Sequence, residues 1–306
     1  MKVVAGIDIG GTNTVFGLVN REGDVLKMNS LPTGSFETAE VLAKEISAGI
    51  SDLMEIDHEL AGVGIGAPNG NFYTGTIDMA PNLNWKGVVP LAELFRKQLN
   101  TEVLLTNDAN AAALGEMIFG AAKGMKDFLF ITLGTGLGSG IVVNGKMVYG
   151  HDGLAGELGH VIMFQDGRNC GCGRKGCLET YCSATGIVRT YLSYFPESKF
   201  EGIKIDAKYI FSKAQQKEKE ALKSFEYTGE VLGLALANSV TYTSPEAIFI
   251  FGGLALAGNY LFEPLRKSFS KNLLNIYRRE IKILPSALPE NSAAILGAAS
   301  LCWEKL

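Results

Sequence analysis

The sequence predicts an α/β protein made of two similar lobes around a cleft. Buried strands alternate with helical segments along the chain. A strand, glycine-rich turn, strand, turn, strand pattern opens the chain and returns from Phe128, with Gly10 matching Gly134 and Asn20 matching Asn144 at a constant offset. The 306 residues are enough for two hydrophobic cores. One unit used twice implies two lobes that face each other.

The first half begins with Val3–Ile9, an apolar run typical of a strand buried on both faces. Apolar residues at helical spacing predict a helix over Val41–Leu53. The remaining predicted elements of this half are strands at Val15–Val19, Val25–Met28, Val63–Ile65 and Val103–Leu105, and a helix over Ala109–Phe119.

The second half repeats the opening with a strand at Phe128–Leu133 and a glycine-rich turn over Gly134–Gly140. Asn144-Gly145 is a favoured hairpin turn between two further short strands, Ile141–Val143 and Met147–Tyr149. The predicted elements after these are a solvated helical region over Lys204–Phe225, a buried helix over Val231–Tyr242, a strand over Ala247–Phe251 and a final helix over Ser292–Trp303 with Ser292 as its N-cap.

The amino-acid composition disfavours two classes of binding partner, nucleic acids and membranes. Hydrophobic residues make up 47% of the chain and charged residues 20%, an ordinary globular balance. The formal charge of −4 disfavours a nucleic-acid partner. The longest uncharged stretch, Phe128 to Gly145, is interrupted by glycines in a way that does not suit a membrane helix, and no export signal precedes the first strand. We therefore expect a cytoplasmic protein without a nucleic-acid or membrane partner.

Three predicted strands end in glycine-rich turns, where backbone amides can approach an anion closely. Each turn by itself is typical of a plain tight turn, but two occupy matched positions of the repeat. Their candidate phosphate- and nucleotide-binding residues are Gly10, Gly11, Thr12, Gly134, Thr135, Gly136, Gly252 and Gly253. Together the three turns favour a site for phosphates.

Two acidic residues follow predicted strands. Asp8 lies inside an apolar strand just before the first glycine turn, where it would face Mg²⁺ directly or through water; alternatively, it bonds its own turn. Asp108 follows the strand ending at Leu105 and starts a helix, so it is either an N-cap or the base that a phosphoryl transfer to an alcohol requires. Spacing alone leaves the second choice open. Asn107 beside it can bind sugar hydroxyls.

The cysteines indicate metal rather than disulfides. Cys170, Cys172 and Cys177 fall within eight residues of a chain with five cysteines, and His160 precedes them. Three thiolates and one imidazole form a closed structural zinc site, the alternative being three unpaired thiols. Such a site would fix Glu157, His160 and Glu179 relative to one another, which suits recognition of a polyhydroxyl ligand.

With these motifs in view, the sequence resembles the ROK family of bacterial sugar kinases and repressors from Ile7 to the C-terminus. The resemblance rests on Asp8-Ile9-Gly10-Gly11-Thr12, Pro81-Asn82-Leu83, Asn107-Asp108-Ala109-Asn110, Leu133-Gly134-Thr135-Gly136-Leu137-Gly138, Glu157-Leu158-Gly159-His160, and Cys170-Gly171-Cys172-Gly173 through Cys177 and Glu179. Asn69 departs from the family pattern, which often has glycine after Gly66-Ala67-Pro68.

The resemblance implies an actin-like ATPase fold of two ribonuclease-H-like lobes. We expect residues 1–118 plus 292–306 to form a small lobe and residues 119–291 a large lobe with the zinc loop. By similarity, Asp108 is the catalytic base, the zinc ligands are His160, Cys170, Cys172 and Cys177, and the sugar contacts are Asn82, Asn107, Asp108, Glu157, His160, Glu179 and the Gly66–Gly70 turn. Members of the family are often homodimers.

The expected activity is transfer of the γ-phosphoryl of ATP to a hexose, with ATP, Mg²⁺ and structural Zn²⁺ as cofactors. Glucose, phosphorylated at the 6-hydroxyl, is the expected substrate. Fructose, allose, N-acetylglucosamine and N-acetylmannosamine remain alternatives. A repressor of the same family would need a DNA-binding module ahead of the Asp8 motif, which begins seven residues after Met1. A filament protein of the actin type would have no use for the predicted zinc loop.

Overall fold

The computed structural model describes residues 1–80, 83–200, 202–277 and 280–306. Their strands are β1 (Lys2–Ile9), β2 (Asn13–Val19), β3 (Val25–Pro32), β4 (Glu59–Ala67), β5 (Gly70–Asn71), β6 (Thr76–Asp78), β7 (Val88–Val89), β8 (Val103–Asn107), β9 (Phe128–Leu133), β10 (Leu137–Val143), β11 (Lys146–Met147), β12 (Ala247–Phe251) and β13 (Lys282–Pro285). Their α-helices are α1 (Ala39–Leu53), α2 (Leu91–Leu99), α3 (Asp108–Ile118), α4 (Glu179–Cys182), α5 (Ala184–Leu192), α6 (Ala207–Gln215), α7 (Lys219–Thr243), α8 (Asn259–Asn272) and α9 (Ala293–Trp303).

Two five-stranded sheets share one plan. The first has the order β3-β2-β1-β4-β8 and the second the order β11-β10-β9-β12-β13. In the first sheet β1, β2 and β3 pair antiparallel, whereas β1, β4 and β8 run parallel. In the second sheet β9, β12 and β13 run parallel, and β10 and β11 pair antiparallel. The repeat predicted from the sequence is therefore a repeat of topology.

The central strands of the first sheet are buried on both faces, whereas most of β3 is exposed. On one face the sheet's apolar residues pack with α1 and α2, and on the other with α3 and α9. The approach of α9 is so close that a Cβ at Gly64 of β4 would lie 1.8 Å from the carbonyl oxygen of Ala298. Only glycine fits there, because any side chain would push the helix off the sheet.

By the density of its contacts, the chain divides into two compact units. The first contains residues 1–125, 140–155 and 286–306, and the second residues 126–139 and 156–285. The lobe boundaries predicted from the sequence stay a prediction beside this division. None of the described helices combines the length and apolar character needed to span a membrane.

Three sequence-based boundaries were wrong. The strand predicted over Met147–Tyr149 starts and ends earlier, because β11 spans Lys146–Met147. The predicted turn over Gly134–Gly140 ends early, because Leu137–Val143 forms β10. The predicted helices Lys204–Phe225 and Val231–Tyr242 divide differently, into α6 and the long α7. The break lies at Lys217, whose positive φ of 63° ends the first helix. Ser292 occupies the predicted N-cap position of α9, but its side chain makes no capping bond.

Candidate active site

In the first unit, two carboxylates lie close together at the carboxyl edge of the parallel strands. Asp8 on β1 pairs in register with Gly66 on β4, and Asp108 directly follows β8. A Cβ at Gly66 would lie 3.6 Å from Asp8 Oδ1 and 3.7 Å from Asp108 Cα. Since glycine has no side chain, the two acidic residues face one another across β4. This is the edge at which ligand crevices open in parallel sheets.

Asp108 is the first residue of α3. Asn107 is the N-cap, and its Oδ1 accepts a hydrogen bond of 2.8 Å from the backbone N–H of Ala109. The N-cap alternative considered for Asp108 therefore belongs to Asn107, although Asp108 Oδ1 also accepts from the Ala109 N–H at 2.8 Å. Asp108 as a whole residue is exposed to solvent, although the surrounding protein removes much of the water from its carboxyl.

Surrounding protein sets the proton affinity of both acids. Loss of hydration raises the pKa of the Asp108 carboxyl, and the amide of Ala109 acts weakly against it. Loss of hydration, with a smaller contribution from the Asp108 charge, raises the pKa of Asp8 to about 7. A carboxylate with a raised pKa is the better proton acceptor.

The first glycine turn joins β1 to β2 and is stabilised by hydrogen bonds, two of them from Thr33 outside the turn. The Gly10 N–H bonds the Asn13 carbonyl at 3.0 Å. Thr33 completes the clamp: its hydroxyl donates to the Gly10 carbonyl at 2.7 Å, and its N–H bonds the Thr12 carbonyl at 2.9 Å. Gly11 and Thr12 are exposed at the tip. The turn is thus a rigid, accessible loop at the same sheet edge as Asp8.

The other two glycine turns lie together in the second unit. They follow β9 and β12, which pair parallel with Thr132 opposite Phe251. The N-terminal end of α5 secures the first of them: the Ala184 N–H bonds the Gly134 carbonyl at 2.8 Å, and the Thr185 hydroxyl bonds the Thr135 carbonyl at 2.9 Å. Gly134, Thr135 and Gly253 are exposed. Two adjoining exposed turns suit a phosphate-bearing ligand.

Also in the second unit, His160, Cys170, Cys172 and Cys177 form one cluster. Their ligand atoms all lie within 4.8 Å of one another. Two separations, Cys172 Sγ to Cys177 Sγ and Cys170 Sγ to His160 Nδ1, are each 3.7 Å. Tetrahedral zinc with Zn–S bonds of about 2.3 Å requires ligand atoms roughly 3.8 Å apart. The donor set and its spacing therefore fit a metal ion.

One member of this cluster favours its ionised form. The pKa of Cys172 is lowered to about 6, chiefly by a hydrogen bond from the Arg174 guanidinium. The same guanidinium donates to the His160 carbonyl at 2.9 Å. Arg174 thus links two members of the cluster and favours the thiolate that metal binding requires.

Glu157 and Glu179, two of the residues predicted to bind a sugar, lie beside this cluster. His160 Nδ1 lies 3.8 Å from Glu179 Oε1, and His160 Nε2 lies 3.9 Å from Glu157 Oε2. Glu157 and His160 share a face because Leu158–His160 form a single 3₁₀ turn. Cys170 Sγ lies 2.9 Å from Glu179 Oε1. The structure thus brings Glu157, His160 and Glu179 together in the second unit.

Asn69 explains the departure from the family pattern. Its φ is 53°, in the left-handed region that glycine and asparagine tolerate best. Its side-chain amide donates to the Asp78 carbonyl at 2.9 Å. The amide therefore stabilises the turn that it occupies. Asn82, the other predicted sugar contact from this region, lies outside the described residues.

Sequence reasoning missed the residues that hold the turns. Thr33, Thr185 and Ala184 each contact a glycine turn far away in the sequence, and no local pattern marks such a contact. The only available signal was Ser183, a residue type that often caps helices, at the start of α5.

Comparison with known proteins identifies the family. A model of the ROK family matches residues 4–305. The chain belongs to the ROK family. This membership confirms the resemblance drawn from the motifs.

Curated relatives include glucokinases and a xylose repressor. The glucokinase of Streptomyces coelicolor is 35% identical, over 99% of this chain and 98% of that protein. The glucokinase of Thermotoga maritima is 36% identical, over 98% of this chain and 97% of that protein. The xylose repressor of Bacillus subtilis is 27% identical, over 97% of this chain but 76% of the repressor.

Solved ROK structures confirm the fold. A ROK family glucokinase from Streptomyces griseus, in complex with glucose and AMPPNP, has a TM-score of 0.82 at 35% identity, with 98% of each chain covered. The ROK hexokinase from Thermus thermophilus has a TM-score of 0.84 at 28% identity, with 99% of this chain and 98% of that chain covered. The fold is therefore the two-lobed, actin-like ATPase fold expected from the resemblance.

Proposed function

We propose that this protein is an ATP-dependent hexose kinase that phosphorylates glucose at the 6-hydroxyl. The observation that carries the proposal is Asp108, a solvent-exposed residue whose carboxyl has a raised pKa, at the carboxyl edge of the first sheet. The glucokinases at 35–36% identity support the choice of reaction and sugar.

Asp108 is the catalytic base. It accepts the proton of the attacking sugar hydroxyl as the bond to phosphorus forms, a contribution typically worth about 10²–10⁴ in rate. Loss of hydration raises the pKa of its carboxyl, and the Asn107 cap and the Ala109 amide fix the carboxylate at the helix start. A fixed position matters because phosphoryl transfer depends mainly on alignment.

The sugar is oriented by Glu157, His160 and Glu179, together with Asn107 and the undescribed Asn82. Carboxylates accept hydrogen bonds from hydroxyls, and the imidazole can donate one, so the group suits a ring of adjacent hydroxyls. Two of these side chains, His160 and Glu179, contact Cys170 of the metal cluster. Their positions thus depend on that cluster.

ATP lies against the glycine turns at Gly10–Thr12, Gly134–Gly136 and Gly252–Gly253. Their amides and the hydroxyls of Thr12 and Thr135 bind the phosphate oxygens. Asp8 would hold Mg²⁺ directly or through water, and the ion would supply positive charge that stabilises the transferring phosphoryl group.

Zinc is the metal proposed for His160, Cys170, Cys172 and Cys177. Three thiolates and one imidazole form a closed set with no position left for a substrate, so the ion is structural. It supplies rigidity to the loop between His160 and Glu179. Homodimer formation, expected from the resemblance, is part of the proposal.

The test is ADP release measured with ATP and a panel of hexoses: glucose, fructose, allose, N-acetylglucosamine and N-acetylmannosamine. We expect glucose to give the highest kcat/KM and ADP release to depend on sugar. Asp108→Asn should lower kcat at least ~10²-fold while leaving glucose binding largely intact, because it removes only the proton acceptor.

The matched control is Asp52→Asn, which removes an exposed carboxylate of α1 in the same unit and should keep full activity. Wild-type turnover in Asp108→Asn would refute the base assignment. Sugar-independent ADP release in the wild type would instead refute the kinase.

A further inference from the structure

Glu116 is a fully buried carboxylate for which the proposed reaction has no chemical role. It lies on α3, the helix that begins at Asp108, and its exposed fraction is 0%. Its Oε1 accepts from the backbone N–H groups of Ala121 at 2.8 Å and Ala287 at 3.1 Å. Its Oε2 accepts from the Ser286 hydroxyl at 2.5 Å. These neutral donors offset the cost of burying the acid.

The partners of Glu116 lie where the chain passes between the two units. The chain leaves the first unit after Met125 and returns to it for the last time at Ser286. Ala121 lies shortly before the first crossing, and Ser286 and Ala287 directly follow the last. The Glu116 carboxylate on α3 therefore bonds both the segment that leaves the first unit and the segment that returns to it.

The helix that carries Glu116 is firmly held. A Cβ at Gly115 of α3 would lie 2.9 Å from Gly297 Cα of α9, so the two backbones are in contact. At Gly120 a Cβ would lie 2.6 Å from Glu116 Cδ, so the carboxylate covers that residue. The anchor is a packed helix rather than a mobile loop.

The two remaining crossings have a polar contact of the same kind. The chain crosses after Ser139 and again before Gly156. The Ser139 hydroxyl donates to the Gly156 carbonyl, and the Leu158 N–H lies 3.4 Å from Ser139 Oγ. Side-chain hydrogen bonds thus accompany all four crossings.

We propose that Glu116 is a positioning residue for phosphoryl transfer, which fixes the first and last crossings to the helix that carries Asp108. Any movement of one unit against the other must be absorbed by the backbone at the crossings. If the crossings were held less firmly to α3, the complex with ATP and sugar would adopt more arrangements of its reacting groups. A smaller fraction of the complex would then be aligned for reaction. The inference rests on the proposed kinase activity.

The test compares Ser286→Ala and Glu116→Gln with wild type under saturating ATP and glucose. Ser286→Ala deletes the bond to Oε2, and Glu116→Gln keeps the shape but replaces one acceptor oxygen by an amide. We expect kcat to fall about three- to tenfold in both variants, with both KM values within about twofold, because the substrate contacts are intact.

Ser300→Ala is the matched control. Its hydroxyl, buried on α9, donates to the Leu296 carbonyl of the same helix at 2.7 Å and so bonds no crossing segment. It loses one serine hydroxyl bond, as Ser286→Ala does, and should keep the wild-type kcat. Unchanged kcat in both test variants, or an equal loss in Ser300→Ala, would overturn the positioning role.

Hydrogen exchange supplies a readout that does not depend on activity. Residues 119–125 and 286–288 should exchange faster in Ser286→Ala and Glu116→Gln than in wild type, whereas Ser300→Ala should leave them unchanged. Wild-type exchange in both test variants would overturn the anchor. A wild-type protein that phosphorylates no hexose would overturn the proposed function while this measurement still tests the anchor.

Discussion

At the scale of single residues, Glu179 connects three predicted parts of the second unit. Its Oε1 lies 2.9 Å from the Cys170 thiol and 3.8 Å from His160 Nδ1. Its Oε2 lies so close to Gly136 that a Cβ there would be 2.8 Å away. One side chain therefore touches the metal cluster, the imidazole and a glycine turn. A small change at the turn should thus reach the sugar site.

Gly136→Ala tests this connection. The new Cβ would displace the flexible end of Glu179 rather than backbone, so the fold should survive while the KM for glucose rises about tenfold. Gly34→Ala is the control, because a Cβ there meets nothing within 4 Å and should leave the KM unchanged. An unaltered glucose KM in Gly136→Ala would show that Glu179 does not hold the sugar.

At the scale of elements, the segment from His160 to Cys177 has little regular structure of its own. Isolated bridges pair Ile162 with Cys177 and Asn169 with Lys175. The Cys170 N–H bonds the Arg174 carbonyl at 2.9 Å across the tight loop. The proposed metal ion would add further order by joining four side chains of this segment.

Cys172→Ser should therefore remove the metal and the sugar affinity together. We expect elemental analysis to find about one zinc per wild-type chain and almost none in the variant, with weaker glucose binding by calorimetry. Cys302→Ala, a buried cysteine outside the cluster, should keep the zinc. A zinc-free Cys172→Ser protein with wild-type glucose affinity would contradict the role assigned to the loop.

At the scale of the whole molecule, the acidic pair at the sheet edge makes stability depend on pH. The pKa of Asp8 is about 7 in the folded protein, against an ordinary value of 3.8. Between these values the folded state binds more protons than the unfolded state, so stability falls as pH rises. The raised pKa of Asp108 acts in the same direction. Ionisation of these two acids at neutral pH thus lowers the stability of the folded protein. A pair of such carboxylates suits a site for cations.

Urea unfolding of the protein without nucleotide or Mg²⁺ measures this cost. From about pH 5 to about pH 7.5 the wild type should lose stability, by roughly 2–3 kcal/mol from the Asp8 shift. Asp8→Asn should lose less over the same range, because it cannot ionise. Parallel curves for the two proteins would show that Asp8 is not the source of the dependence.

Local patterns were enough to propose most of the candidate site. Asp8 lies near the end of an apolar strand, Asp108 and the glycine turns follow such strands, and strand ends are visible in the sequence. Cys170, Cys172, Cys177 and His160 are near neighbours, so spacing alone suggested one ion. The strands over Phe128–Leu133 and Ala247–Phe251 have the predicted bounds, because continuous apolar runs identify buried strands.

Contacts between residues far apart in the chain could not be predicted from local sequence patterns. The pairing of Asp8 with Asp108 depends on β4 lying between β1 and β8, a strand order that no local pattern encodes. The Thr33 clamp and the Glu116 anchor join residues far apart along the chain, and their bonds exist only after the sheets and helices have packed. Periodicity and spacing thus determined the elements and the candidate chemistry, while packing set which acids meet and raised their pKa values by removing water.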